Sequence, residues 1–246
     1  MPDCIVSVDV ADAVLLGKFL SQYADKVDIS IDHHMISKKF AKLTLMDSAA
    51  AAACQVLYRF FMEYNINITP MIATCLYTGL STDTGCFKYK NTTADVHYIA
   101  AELIRFGADI RLVNKNMFET QSVAHVLLEK LVLDTLEFYC NNRCAVICIT
   151  EDMKRRTNAK NEDVDGFASL PKEIEGVEVG ITIREQGERE YKLSLRSHGN
   201  CNVAKICETF SGGGHDAAAG CSMFGKLDDV KARIVFNVAR ALENKV

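Results

Sequence analysis

The sequence predicts an α/β domain, built on a doubly wound and mainly parallel sheet, joined by a helix to a smaller α+β domain. Three observations carry this. In the first half, short β-branched apolar runs alternate with helical patterns, the arrangement that produces parallel pairing. In the second half, two runs separated by a Gln186-Gly187-Glu188 turn form a hairpin, which requires mixed pairing. The chain has 246 residues, 49% hydrophobic and 24% charged, enough for two modest cores. That composition excludes disorder, collagen-like repeats and low complexity.

Residues 4–10 read as a strand buried on both faces. Residues 11–23 read as a helix with Val14, Leu15, Phe19 and Leu20 inward. Residues 27–31 and 43–46 are further strands. Ser48 is the expected cap of a long helix whose inner face carries Val56, Leu57, Phe60 and Phe61. The small residues 49–53 permit close packing of that helix on the sheet. Thr69-Pro70 starts the next helix, with proline at its first position. Thr93 opens another that ends at Gly107, a left-handed cap. A connecting helix over 119–136 separates a first domain, 1–118, from a second, 137–246. In the second, residues 143–149 are a strand, 179–184 and 191–196 the hairpin, 201–210 a helix, 218–224 a strand and 227–243 a long amphipathic helix.

A net charge of −4 excludes a broadly basic nucleic-acid coat and leaves room for a local basic pocket. The ten cysteines form no CxxC pair, and Cys4, Cys54, Cys75, Cys144 and Cys148 sit in apolar runs. They are expected to be buried, reduced thiols in a reducing cytoplasm. No signal-peptide pattern and no apolar run of membrane-spanning length is present.

Asp9, Asp32-His33-His34 and Asp83 stand where strands or helices end. In open α/β sheets the carboxyl ends of the strands converge on one crevice, and carboxylates with imidazoles there suit Mn²⁺, Mg²⁺ or Zn²⁺. Taken singly, Asp9 and Asp83 read as loop or cap residues and His33-His34 as a surface pair; together they read as a metal site. In the second half, Gly212-Gly213-Gly214 leaves backbone N–H groups open to a phosphate or sugar, Arg196 offers a planar fork, and His215 a hydrogen bond. His97 and His125 lie on helices and read as structural. Lys154-Arg155-Arg156 reads as a solvated helix face, with attraction of oligonucleotide phosphates as the alternative. Phe87 and Tyr89 either line a cleft or pack at its rim.

These motifs, in this order, resemble the DHH phosphoesterase superfamily. Asp32-His33-His34 follows Val-Ser-Val-Asp9 and precedes Gly79-Leu-Ser-Thr-Asp83-Thr-Gly85. Leu193-Ser-Leu-Arg196-Ser197 and Ser211-Gly-Gly-Gly-His215 resemble the DHH-associated C-terminal domain. Ser211 stands where the group usually has another glycine. The two-domain layout is similar to the NrnA-like oligoribonuclease and pAp-phosphatase group. The resemblance implies a two-Mn²⁺ hydrolase, a cytoplasmic exonuclease in which a metal-activated water attacks phosphorus. Asp9, His33 and Asp83 would be metal ligands, with Asp9 bridging both ions. His34 would face the scissile phosphate and Asp32 would orient a histidine. Arg196, Ser197, Gly212, Gly213, Gly214 and His215 would hold the substrate's far end.

The implied substrates are short oligoribonucleotides and the mononucleotide bisphosphate 3′-phosphoadenosine 5′-phosphate (pAp), with a homodimer as a further expectation. The family's first motif, His-x-x-x-Asp-x-Asp, does not occur ahead of Asp9. The expectation is therefore a truncated site that holds one Mn²⁺ through Asp9, His33 and Asp83 and a second weakly. A cyclic-di-AMP or linear-dinucleotide phosphodiesterase, and an inactive nucleotide-binding remnant, are the alternatives.

Overall fold

The computed structural model describes residues 2–34, 40–199 and 201–243; the outer ends of the expected domains, residues 1 and 244–246, lie outside them. The chain divides into two compact units, Met1–Thr120 and Gln121–Val246.

The first unit holds a three-stranded parallel sheet, β1 (Val6–Val8), β2 (Ile29–Asp32) and β3 (Leu43–Met46), in that spatial order. A short α1 (Gly17–Leu20) lies between β1 and β2. Four helices follow β3: α2 (Ala53–Glu63), α3 (Pro70–Asp83), α4 (Ala94–Arg105) and α5 (Ile110–Asn114). Their shared core contains Tyr58, Leu76, Leu80, Val96, Ile99, Leu103 and Val113. Ala50 and Val56 pack α2 against Ile31 of β2, where small side chains allow the close approach. Thr69 and Thr93 cap α3 and α4 through their side chains, as the sequence predicts.

Four expectations are corrected here. β1 is shorter than residues 4–10 and is not buried on both faces: Val6 and Val8 are 51% and 41% exposed, and only Ser7 is buried. As an edge strand it pairs on one side alone. Residues 11–23 do not form one amphipathic helix. Gly17 takes a left-handed φ of 70° between a 3₁₀ turn (Ala13–Leu16) and α1, so no continuous stripe forms. Val14, Leu15, Phe19 and Leu20 all point outward. Ser48 caps nothing: α2 starts at Ala53, and the Asp47 carboxylate takes the Ala49 N–H at 3.0 Å. All ten cysteines are free, but Cys4 and Cys75 are exposed and Cys54 is half-buried, whereas Cys144 and Cys148 are buried as expected.

The second unit begins with α6 (Val123–Leu133), shorter than the helix expected over 119–136 and capped by Ser122. A six-stranded mixed sheet follows, in the order β4-β5-β6-β7-β9-β8. Its strands are β4 (Glu137–Tyr139), β5 (Cys144–Ile149), β6 (Val179–Gly187), β7 (Glu190–Ser197), β8 (Gly213–His215) and β9 (Ala218–Phe224). The helices are α7 (Glu151–Thr157), α8 (Val203–Glu208) and α9 (Leu227–Glu243). One sheet face buries Ile181, Ile183, Leu193, Leu195, Cys221 and Met223 against α8 and α9.

α8 ends in a Schellman motif. The Ser211 N–H donates to Glu208 O (3.0 Å) and the Gly212 N–H to Cys207 O (2.9 Å). That geometry puts Ser211 at a φ of 60°, where a Cβ costs about 1–2 kcal/mol. Ser211→Gly is therefore expected to stabilise the second unit by about 1 kcal/mol after the added freedom of the unfolded chain is subtracted. A raised midpoint in denaturant unfolding, at unchanged slope, is the readout.

Candidate metal centre and phosphate-binding face

Two adjacent parallel strands bring Asp9 and Asp32 to one edge of the first sheet. The Asp9 N–H donates to Ile31 O at 2.9 Å, and a left-handed φ of 62° turns its side chain across the end of β2. Aspartate is among the few side chains that tolerate that region. Asp32 ends β2 with no exposed surface. Its Oδ1 accepts from the His33 N–H (2.7 Å) and the His34 N–H (3.2 Å), a local turn that lets both histidines leave the strand together. The same oxygen lies 2.7 Å from His34 Nδ1. Asp32 thus orients His34, and their hydrogen bond pushes the His34 pKa up.

His33 is held differently. Its Nδ1 lies 3.2 Å from Ala50 O, an acceptor only, so Nδ1 carries the hydrogen and the lone pair of a neutral ring is on Nε2. That Nε2 is 3.4 Å from Asp9 Oδ1 and 3.5 Å from Asp83 Oδ2. These separations are long for charge-assisted hydrogen bonds, which cluster near 2.7–2.9 Å. They match ligand atoms sharing one ion, which at bond lengths of about 2.1 Å lie roughly 3–3.4 Å apart. Ligand atoms of Asp9, His33 and His34 all fall within 4.8 Å of one another. Burial and the charge of Asp9 push the Asp83 pKa up, so two carboxylates crowd a place that a cation would neutralise. Nitrogen and oxygen donors of this kind fit a divalent first-row metal.

Asp83 is the last residue of α3. The helix ends because Gly85, Cys86 and Phe87 take left-handed φ values of 56°, 56° and 64°. A Cβ on Gly85 would stand 2.3 Å from the Tyr89 ring. Phe87 packs between Tyr77 and His97, its ring stacked on His97 at 5.4 Å, while Tyr89 stays exposed. His125 is likewise structural, with its Nδ1 on Asp163 O (2.8 Å) and its ring stacked on Phe167.

In the second unit, cross-strand register aligns Arg196 of β7, Ala218 of β9 and His215 of β8 in one row. Residues so aligned share a face, and Ala218 leaves the space between the two larger side chains open. Gly213 lies on that face too, opposite Gly220, on an edge strand with one unpaired side. Arg196 donates from Nη1 to Leu195 O (3.0 Å) and makes no ion pair among the described residues.

Three of the residues expected at a substrate do other work. Ser197 is on the buried face, where its hydroxyl donates to Cys201 O (2.7 Å) and receives the Gly199 N–H. The Gly212 N–H closes α8. A Cβ at Gly212 or Gly214 would run into the β9 backbone, at 2.3 Å from Gly220 O and 2.5 Å from Ala218 O respectively.

Residues 141–240 match the DHHA1 domain. The chain is 32% identical over 216 residues to the "Bifunctional oligoribonuclease and PAP phosphatase NrnA" of Thermus thermophilus, covering 87% of this chain and 64% of that relative. It is 27% identical to the protein of the same name from Mycoplasma genitalium, covering 95% and 74%. An exopolyphosphatase-related protein from Bacteroides fragilis superposes with a TM-score of 0.84 at 27% identity, over 99% of this chain and 72% of that one. Residues 141–240 thus match a DHHA1 domain, and the chain as a whole is similar to these relatives over most of its length. It spans 64% of the length of the Thermus relative and of a Streptococcus mutans relative.

Within this site, sequence reasoning missed the residues that hold the Ala50 carbonyl in place. Gln55 is buried. Its Oε1 accepts the Ala51 N–H (2.7 Å) and its Nε2 donates to Asp95 (2.7 Å), which also takes Arg59 Nη2 (2.7 Å). Asn91 Nδ2 donates to both Ala51 O and Asp83 O, each at 3.1 Å. It thereby ties the segment that fixes His33 to the turn that carries Asp83. Gln55, in the first turn of α2 and reaching back to an N–H ahead of it, carries a readable signature, the return half of a capping box. Asn91 carries none, because both its partners are backbone oxygens distant in sequence.

Proposed function

We propose that the chain is a phosphoric ester hydrolase dependent on Mn²⁺, acting on short oligoribonucleotides and on pAp. One observation carries the reading: the Nε2 lone pair of His33, fixed by Ala50 O, faces two carboxylates at ion-sharing distances. The printed names of the relatives, oligoribonuclease and PAP phosphatase, support the substrate class. Bound divalent cations would supply charge neutralisation at the phosphate and activation of water. Asp9, His33 and Asp83 would hold them. His34, whose pKa the Asp32 hydrogen bond raises, would in its protonated form donate from Nε2 to a phosphate oxygen and stabilise the charge that grows there as the ester bond breaks. Arg196, Gly213 and His215 bind the far phosphate or sugar.

No helix among the described residues is long and apolar enough to cross a membrane. The test is release of phosphate from pAp and of mononucleotides from an RNA pentamer, in Mn²⁺ and in EDTA. No turnover of either substrate in Mn²⁺ would overturn the reading. Arg196→Ala is expected to weaken pAp binding by about 1.5–3 kcal/mol, the scale of a hydrogen bond to a charged group, with little change in fold stability. Unchanged affinity in calorimetry would remove Arg196 from the site.

A further inference from the structure

The open face of the second sheet carries more positive charge than the Arg196–His215 row uses. Arg184 of β6 stands directly opposite Lys192 of β7, and Thr182 opposite Ser194, all on the face of Arg196. Like charges facing each other across two strands repel. Among the described residues neither cation has an ion-pair partner. Arg184 donates from Nη2 to Asn161 Oδ1 (2.6 Å), but its Nε is buried and makes no hydrogen bond. A buried guanidinium N–H without an acceptor is costly. Arg184, Lys192 and Ser194 line a trough of about 180 Å³. The Thr182 hydroxyl in that trough already donates to Phe167 O (2.9 Å), and Asp165 at its edge pairs with neither cation. Lys192 also lines a second hollow, of about 520 Å³, with Gly213, Ser222 and Phe224. The lining therefore offers donors that lack an acceptor.

We propose that Arg184, Lys192 and Ser194 form a second phosphate subsite, which takes a backbone phosphate of an oligonucleotide two linkages along the strand from the phosphate on the Arg196–His215 row. Lys192 and Arg196 are four residues apart on one strand, about 13 Å. A mononucleotide bisphosphate bound at one row leaves the other to a longer chain. The subsite gives the protein a reason to prefer short oligonucleotides over single nucleotides, and it rests on the phosphoester reading above.

The test measures binding of an RNA pentamer and of pAp, in EDTA to prevent turnover, by wild type, Arg184→Gln and Lys192→Gln. Each substitution is expected to lower pentamer affinity about tenfold more than pAp affinity. Each should also flatten the dependence of log affinity on log salt by about 0.7. Lys192 is exposed and its removal relieves repulsion, so Lys192→Gln keeps the fold and decides the matter if Arg184→Gln does not fold. A pentamer affinity unchanged in both variants, or falling in step with that for pAp, overturns the subsite while leaving the phosphoester reading intact. Wild type binding neither ligand would instead strike down that reading.

Discussion

Asp9→Asn is expected to lower phosphoester hydrolysis about a thousandfold, the equivalent of several kcal/mol of lost charge stabilisation. The amide keeps the side-chain shape and tolerates the left-handed backbone, so the substitution separates chemistry from folding. What it removes is one of two carboxylates beside His33 Nε2. Calorimetric titration with Mn²⁺ should show the loss of metal affinity directly. Thermal unfolding gives an independent reading: metal at a hundred times its dissociation constant stabilises by about 2.7 kcal/mol, and the variant should lose that increment. In EDTA the variant should be at least as stable as wild type, because the charge of Asp9 helps push the Asp83 pKa up. A variant that retains both turnover and the Mn²⁺-dependent shift would remove Asp9 from the centre.

Asp32→Ala should be the most damaging single substitution for the first unit. One buried oxygen accepts from two backbone N–H groups and pairs with the His34 ring. Removing it leaves those donors without their acceptor, at about 1–3 kcal/mol each, offset in part by no longer burying a carboxylate. A net loss of about 3 kcal/mol is expected. The loss depends on pH in a definite direction. The bond to Asp32 raises the folded-state pKa of His34. Its stabilisation is complete below the unfolded histidine value and disappears as pH rises through the folded value. The gap between wild type and variant, measured by thermal unfolding in EDTA, should therefore narrow between pH 6 and pH 9. A gap that widens over that interval would contradict the assigned pairing.

The strand ends were legible because a hydrophobic run that stops at a carboxylate is a local signal: Asp32 and His33 could be placed from sequence, as could Asp83 behind Thr69-Pro70 and its helix. The left-handed backbone at Asp9 was not, since it depends on a hydrogen bond to Ile31 across the sheet. Residues 11–23 misled because their 3.6-residue pattern ignores Gly17, whose conformation breaks the stripe. Ser197 could have been set aside beforehand. Successive residues of a strand point to opposite faces, so Arg196 and Ser197 cannot both line one ligand. Gln55 reaches back only four residues to Ala51, a local signal, whereas the Gln55–Asp95 and Asn91–Ala51 bonds join positions 40 apart, beyond any local pattern.

The glycine triplet ahead of His215 looks uniform on the page and is not uniform in space. At Gly212 and Gly214 any β-carbon would meet the β9 backbone, whereas Gly213 faces open solvent with nothing within 4 Å. The three identical letters therefore meet different steric demands. At the outer pair the fold itself demands glycine, whatever the protein binds. The middle position carries no such steric demand from the fold; the proposed phosphate contact would be its one constraint. A lineage that abandoned its substrate would keep Gly212 and Gly214 and let position 213 drift, so the residue between two glycines becomes a record of whether the ancestral ligand is still in use.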